Sequence, residues 1–233
     1  MRIHKYLAHA GVASRRKAED MVAAKEILIN GHPAKIGEIV DPEHDKVTAG
    51  GKPTHLESEA VYYLIHKPRG VVSTASDPEG RRTITSFVPQ GMRLYPVGRL
   101  DYDSEGLMLL TNDGELAFHM THPKFEVEKT YRVLVKGVMP EKSVGYLEQG
   151  VTIEGKKTAP AKVEIVEAQE NNTWIDITIH EGRNRQIRKM CEAVGFPVMR
   201  LIRTKFGPWE LGDLQSGKYR SLDASEVEKL ALN

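Results

Sequence analysis

The apolar positions Ile3, Tyr6, Leu7 and Ala10 recur at spacings of three, four and seven, which lays a stripe along one face of a helix that Gly11 ends. Ser14 then stands as the N-cap of a second helix, with Ala18, Met21 and Val22 facing inward. The period changes to two at Ile27 and Ile29, the Asn30-Gly31 hairpin dipeptide follows, and Ala34 and Ile36 read as the returning strand. Through 41–59 no hydrophobic period survives, and Gly50-Gly51 and Pro53 mark the stretch as the edge and linker of a small domain. Beyond it, strands are predicted at 61–66, 131–135, 162–166, 174–179 and 198–204. The clearest helices are 185–194 and one near the C-terminus, capped by Asp223 or Ser225. Strands with interspersed helices, rather than strict alternation, predict an α+β chain. Its expected domains are 1–58 and 59–233, the second built on a largely antiparallel mixed sheet.

Composition narrows the function classes. No apolar run approaches the roughly 20 residues of a membrane-spanning helix, and the N-terminus carries no export signal, so a cytoplasmic protein without a membrane partner is expected. A single Cys191 excludes an internal disulfide, and nine His without Cys pairs offer no zinc framework, so no metal is expected. His119 and His122 are three apart, but Pro123 ends their segment and no third ligand is near, so they read as structural. Gly51-Lys52 is followed by Pro53 where a phosphate loop needs a hydroxyl, and no dinucleotide fingerprint or nucleophile elbow is present. Chemistry without a cofactor is therefore expected.

The formal net charge of +1 conceals strong segregation. Residues 1–37 hold seven Lys or Arg against three acids, and 182–206 hold seven against Glu192 alone. Arg15, Arg16 and Lys17 crowd the first turn of the second helix, where cations oppose the helix dipole; a bound anion accounts for that placement. Two basic stretches point to two contacts with one polyanion.

The segment Gly98-Arg99-Leu100-Asp101-Tyr102-Asp103-Ser104-Glu105-Gly106-Leu107 sets a carboxylate on a tight glycine-bounded loop ahead of an apolar run. That pattern alone names no reaction. The start of the chain, from His4-Lys5-Tyr6-Leu7-Ala8 through Ser14-Arg15-Arg16-Lys17 to Ile29-Asn30-Gly31, resembles the S4-type RNA-binding domain. That family usually has Gly near the position of Lys25 or Glu26. The resemblance implies that Arg15, Arg16 and Lys17 contact phosphates of folded RNA.

Gly-Arg-Leu-Asp, then Ser104-Glu105-Gly106-Leu107 and Leu109-Leu110-Thr111-Asn112-Asp113-Gly114, resembles the active-site motif of the pseudouridine synthases that act on ribosomal RNA. Three further segments agree in order: His66-Lys67-Pro68-Arg69-Gly70, Glu128-Lys129-Thr130-Tyr131, and the run from Glu181-Gly182-Arg183-Asn184-Arg185-Gln186 to Ile187-Arg188-Lys189-Met190. Ser104 stands where Thr is commoner. By resemblance, Asp101 is the nucleophile that breaks the N-glycosidic bond, attacking the ribose or the uracil ring. Arg188 is its expected guanidinium partner with Arg185 as second candidate, and Tyr131 stacks under the uracil. Arg99, Arg183 and Arg185 are expected at the RNA. The implied substrate is bacterial ribosomal RNA, naked or in a pre-ribosomal particle, the large-subunit 23S molecule more than the 16S; two domains joined by a flexible linker point to a monomer. Two rivals are weighed against this. A non-catalytic RNA-binding ribosome assembly factor would have no use for the intact acidic motif, and a hydrolase pairing Asp101 with His66 lacks a third residue.

Overall fold

The computed structural model describes residues 1–56 and 59–228. They form two compact units, one of Met1–Val61 with Gly91–Arg93 and Asn112–Gly114, the other of the remainder. The domain boundary expected after residue 58 falls at Glu57 and Ser58, which lie outside the described residues.

In the first unit, α1 (Ile3–His9) and α2 (Arg15–Ala23) bury the stripe that the sequence predicts: Ile3, Tyr6 and Leu7 pack with Ala18, Val22, Ile27 and Val47. Ser14 caps α2, its Oγ accepting the Lys17 N–H at 3.2 Å. The helix closes with the Glu26 N–H on the Met21 carbonyl and the Lys25 N–H on the Val22 carbonyl, both at 3.0 Å. This is a Schellman turn, with Lys25 at φ 59 where glycine is usual. Next come β1 (Ile27–Ile29) and β2 (His32–Pro33), joined by Asn30 at φ 52 and Gly31 at φ 83, the backbone of a type I′ hairpin.

Two expectations fail here. The returning strand stops at Pro33, because the chain turns at Ile36-Gly37, leaving Ala34 buried outside the strand and Ile36 in solvent. The stretch read as a linker instead holds β3 (Val47–Ala49) and β4 (Lys52–Pro53), which complete a four-stranded antiparallel sheet in the order β2-β1-β3-β4. Strands of two or three residues are too short to show a period.

The second unit is built on one nine-stranded sheet. Its strands are β5 (Tyr62–Lys67), β6 (Tyr95–Val97), β7 (Glu105–Thr111), β8 (Lys129–Lys136), β11 (Lys162–Ala168), β12 (Asn172–Ile179), β13 (Val198–Phe206), β14 (Trp209–Glu210) and β15 (Tyr219–Ser221), with β9 (Thr152–Ile153) and β10 (Lys156–Lys157) forming a separate hairpin. The main order is β11-β12-β8-β13-β7-β5-β15, with β14 on β13 and β6 on β7. Every pairing is antiparallel except β13 with β7, so the mixed, largely antiparallel sheet matches expectation. All five predicted strands are present, four of them longer than predicted and β5 of the predicted length but shifted by one residue. The strands not predicted in this unit are the short β6, β9, β10, β14 and β15 and the long β7, which is buried at every position: a strand covered on both faces reads as an unbroken apolar run rather than an alternation.

Helices α3 (Gly114–Thr121), α4 (Glu141–Gln149), α5 (Gln186–Ala193) and α6 (Ala224–Glu228) complete the unit. Leu116 and Met120 of α3 join Leu64, Val97, Leu107, Leu109, Phe206 and Trp209 in one core. The predicted cap of α6 is Asp223, whose Oδ1 accepts the Glu226 N–H at 2.9 Å. Among the described residues no helix is long and apolar enough to cross a membrane.

Candidate active site

The loop between β6 and β7 carries Asp101, and its backbone is gripped from several sides. Ser73 brackets Leu100, its Oγ accepting the Leu100 N–H at 3.1 Å and its hydroxyl reaching the Leu100 carbonyl at 2.6 Å. The Lys67 ammonium, fully buried at the end of β5, donates to the carbonyls of Pro68 and Asp101 at 3.0 Å and of Ser104 at 2.7 Å. The Gly70 N–H holds the Tyr102 carbonyl at 2.9 Å. Burial lowers the Lys67 ammonium to about 8, against the pull of Asp101, Asp103 and Glu105. With the backbone fixed by these bonds, the Asp101 carboxylate still remains about one-third exposed, at 34%. It is a carboxylate on a rigid mount that a substrate can reach.

Helix α5 and its N-cap bring two arginines to this loop, Arg185 beside Asp101 and Asp103 and Arg188 beside Asp103. Arg185, the N-cap residue at φ 51, lies with Nη1 3.5 Å from Asp101 Oδ2 and forks both nitrogens onto the Asp103 carboxylate at 3.2 Å. Arg188, expected to pair with Asp101, pairs with Asp103 at 3.2 Å and also donates to the Asp103 carbonyl and the Ser104 hydroxyl. The reason is local: the left-handed turn at Arg185 sets that side chain at the helix mouth, while Arg188, one turn inside, reaches the chain just after Asp101. Burial would raise Asp103, but the hydrogen bonds from Arg185 and the two guanidinium charges outweigh it and hold the carboxyl below its ordinary value. Arg185 is correspondingly raised by its bond to Asp103, whereas burial lowers Arg188.

Tyr131 sits on β8, buried at 9% exposure. It stands in one row across three strands, since Arg203 of β13 is paired with Tyr131 on one side and with Gly106 of β7 on the other. At about 4.8 Å per strand, that row places Tyr131 roughly 10 Å from the start of β7. Arg203 is itself buried, donates to the Leu107 carbonyl at 2.7 Å and covers the Phe206 ring at 4.4 Å. Its burial lowers the guanidinium and the Tyr131 hydroxyl opposes that shift. Gly106 has φ 116, and a Cβ there would overlap the Arg203 backbone, so glycine is required for β7 and β13 to meet.

The other predicted residues divide. Arg99 is exposed and makes no ion pair among the described residues. Arg183 is tied to its own chain, donating to the carbonyls of Lys156 and Lys157 and to Glu181. In the first unit, Arg15, Arg16 and Lys17 project into solvent with no acid in the first helical turn. His66 directs Nδ1 to the Leu214 carbonyl at 2.7 Å, and neither of its ring nitrogens bonds Asp101 among the described residues.

Lys67, Asp103 and Arg203 were not singled out from sequence, and two of them had a signal. Lys67 follows Ile65 on the buried parity of β5, and Arg203 follows Leu201 on the buried parity of β13. A cation at an inward strand position needs carbonyl or hydroxyl partners, and here those partners belong to the site.

This chain is similar to known proteins over nearly its whole length. A model of the S4 domain matches residues 1–47, and one described as RNA pseudouridylate synthase matches residues 61–193. The ribosomal large subunit pseudouridine synthase B of Bacillus subtilis is 44% identical over 98% of this chain and 95% of its own length. The protein of the same name from Pseudomonas aeruginosa is 37% identical over 99% of this chain and 61% of its own length. A solved pseudouridylate synthase superimposes with a TM-score of 0.72 at 32% identity, covering 99% of both chains. With that motif on the β6–β7 loop and matches of this extent, the chain belongs to the RNA pseudouridylate synthase family.

Proposed function

We propose that this enzyme converts a uridine of large-subunit ribosomal RNA to pseudouridine, with Asp101 as the nucleophile. The observation that carries the reading is a solvent-reachable carboxylate on a pinned backbone, with the Arg185 guanidinium at 3.5 Å to direct it. Both the Bacillus subtilis and Pseudomonas aeruginosa relatives are named for the large subunit, which supports that choice of RNA.

The uridine leaves the base stack to reach this loop, and the face of Tyr131 supports the extruded uracil, an interaction of about 1–3 kcal/mol. A bond forms from the Asp101 carboxylate to the nucleoside as the N1–C1′ bond breaks. The uracil turns, a C5–C1′ bond forms as the carboxylate is released, the C5 proton passes to solvent, and N1, freed from C1′, takes up a proton from solvent. Atoms and electrons balance without a redox partner, so no cofactor is needed. Arg185 and Arg188 hold the loop acids in place, and Arg99 contacts phosphate beside the emptied stack. Arg183, anchored to the β9–β10 hairpin, shapes the surface there. In the S4-like domain, 1–58, Arg15, Arg16 and Lys17 take phosphates of folded RNA and position rather than read sequence; 59–233 is the catalytic domain. The enzyme acts as a cytoplasmic monomer.

Release of tritium from ribosomal RNA labelled at uridine C5 tests the reading. Wild type should release it and Asp101→Asn should not. Equal release by the two proteins would remove Asp101 from the mechanism, and tight RNA binding without release by either would favour the assembly-factor alternative.

A further inference from the structure

Four rings that the Asp101 site does not use gather at the end of α3. The centroids of Phe118 and His122 lie 4.7 Å apart, and Phe118 meets Phe125 edge-on at 5.9 Å. His119 stacks on Phe125 at 4.1 Å with 12° between the planes. The Lys124 ammonium stands 4.5 Å from the Phe125 centroid and 5.6 Å from that of Phe118. Among the described residues Lys124 makes no ion pair.

A satellite core would hide these rings, and this cluster does not. Leu116 and Met120 are the buried residues of α3, whereas Phe118 is 49% exposed and His122 and Lys124 are exposed as well. Nor is it a metal site: no group of three potential ligands occurs among the described residues, and His122 Nδ1 already accepts the Lys124 N–H at 3.2 Å.

Its position relates it to the chemistry. A Cβ at Gly98 would lie 3.6 Å from Thr121 Cγ2, so the last residue of α3 rests against the residue that begins Gly98-Arg99-Leu100-Asp101. The exposed rings and their cation thus stand on the segment that abuts the start of the loop carrying Arg99 and Asp101.

We propose that Phe118, His119, His122 and Phe125 form a stacking platform for an unpaired RNA base beside the modified uridine, with Lys124 on the adjoining phosphate. The proposal rests on the reading of the Asp101 site as an RNA-modifying centre. Extruding a uridine leaves neighbouring bases with open faces, and any base offers a π-face to an aromatic ring. A cation beside the rings adds the phosphate contact that such platforms combine with stacking. Lysine is depleted at protein interfaces, so the ammonium beside the rings suits a phosphate better than a protein partner.

The probe is a uridine-rich octaribonucleotide carrying one 2-aminopurine, whose fluorescence is quenched when the base stacks. The wild-type protein should bind and quench it. Phe118→Ala should weaken binding by a factor on the order of 10, Phe118→Trp should restore it, and Lys124→Gln should reduce the salt dependence of binding. If Phe118→Ala does not fold, Lys124→Gln decides the question through that salt dependence. Binding by wild type without quenching overturns the platform, as does Phe118→Ala that binds as tightly as wild type but melts lower, which would mark the rings as local packing. Asp101→Asn keeps the two readings apart. If it still releases tritium while Phe118→Ala loses the quench, the mechanism fails and the platform stands.

Discussion

The Lys67 ammonium and the Asp101 carbonyl are hydrogen-bonded at 3.0 Å, so the loop that carries the Asp101 carboxylate is fixed through its backbone by a cation with no solvent exposure. The same nitrogen holds Ser104 at 2.7 Å, so one side chain sets both ends of the turn. Catalysis is sensitive to that kind of placement, since an error of about 1 Å in a reacting group costs on the order of 100-fold in rate.

Lys67→Met should therefore lower kcat by roughly 100-fold with a much smaller change in KM, measured by tritium release. Burial brings Lys67 to about 8, and a neutral amine has two hydrogens for three carbonyls. Wild-type activity should fall as pH rises through 8, and the variant should lack that limb. Stability moves the other way. The unfolded lysine keeps its proton to about 10.5 while the folded one has released it from about 8 upward, so this residue's contribution to stability rises across that window. Urea midpoints at pH 8 and pH 10 should shift in favour of wild type relative to Lys67→Met.

Arg185 and Arg188 should separate by what they lose. Arg185 is 42% exposed and reaches Asp101, so Arg185→Gln should stay folded and lose on the order of 100-fold in rate. Arg188 is 13% exposed and anchors the Asp103 carbonyl and the Ser104 hydroxyl, so Arg188→Gln should lose thermal stability together with activity. Single-turnover tritium release beside thermal melts decides it. The opposite outcome, a rate defect without a stability defect at Arg188 alone, would mean that Arg188 is the partner of Asp101 once RNA is bound.

How far these relationships can be read from sequence depends on the kind of pattern each leaves. The helix stripe Ile3-Tyr6-Leu7 and the Asn30-Gly31 hairpin are local, and both appear in the structure where the residues predict them. β7 escapes the pattern because a strand buried on both faces has no alternation, and β3 and β4 because two or three residues are too few to display one. Asp101 was legible through resemblance, being part of a long contiguous motif. The choice between Arg185 and Arg188 was not legible, since it depends on a left-handed residue at the helix mouth and on where two distant segments meet. Arg203 lies outside every motif that carries the resemblance and comes beside Tyr131 through a pairing of strands 72 residues apart in sequence.

Gly106→Ala tests the row that links β7 to Tyr131. The added methyl would meet the Arg203 backbone rather than a side chain that can swing away, and the position has φ 116. Overpacking of this kind costs about 3 kcal/mol or more. The variant should show a urea midpoint lowered accordingly and, where still folded, a loss of activity from displacement of Arg203 and with it Tyr131. A variant as stable and as active as wild type would mean that β7 and β13 do not approach as closely as described.

Lys25 offers the opposite case, a strained residue with space to relax. It closes α2 at φ 59, exposed, with its N–H already bonded to the Val22 carbonyl, in the conformation that costs an ordinary residue about 1 kcal/mol or more and glycine almost nothing. Lys25→Gly gives up some chain entropy in the unfolded state, so the net gain should be about 1 kcal/mol or somewhat less. Because Lys25 lies in the first unit, the measurement should report on that unit: amide exchange at Ala18 and Val22, both buried in its core, should slow about fivefold in the variant. Faster exchange would show that the lysine side chain contributes more to the end of α2 than its backbone strain removes, and that the glycine usual there in S4-type domains is not a matter of helix closure.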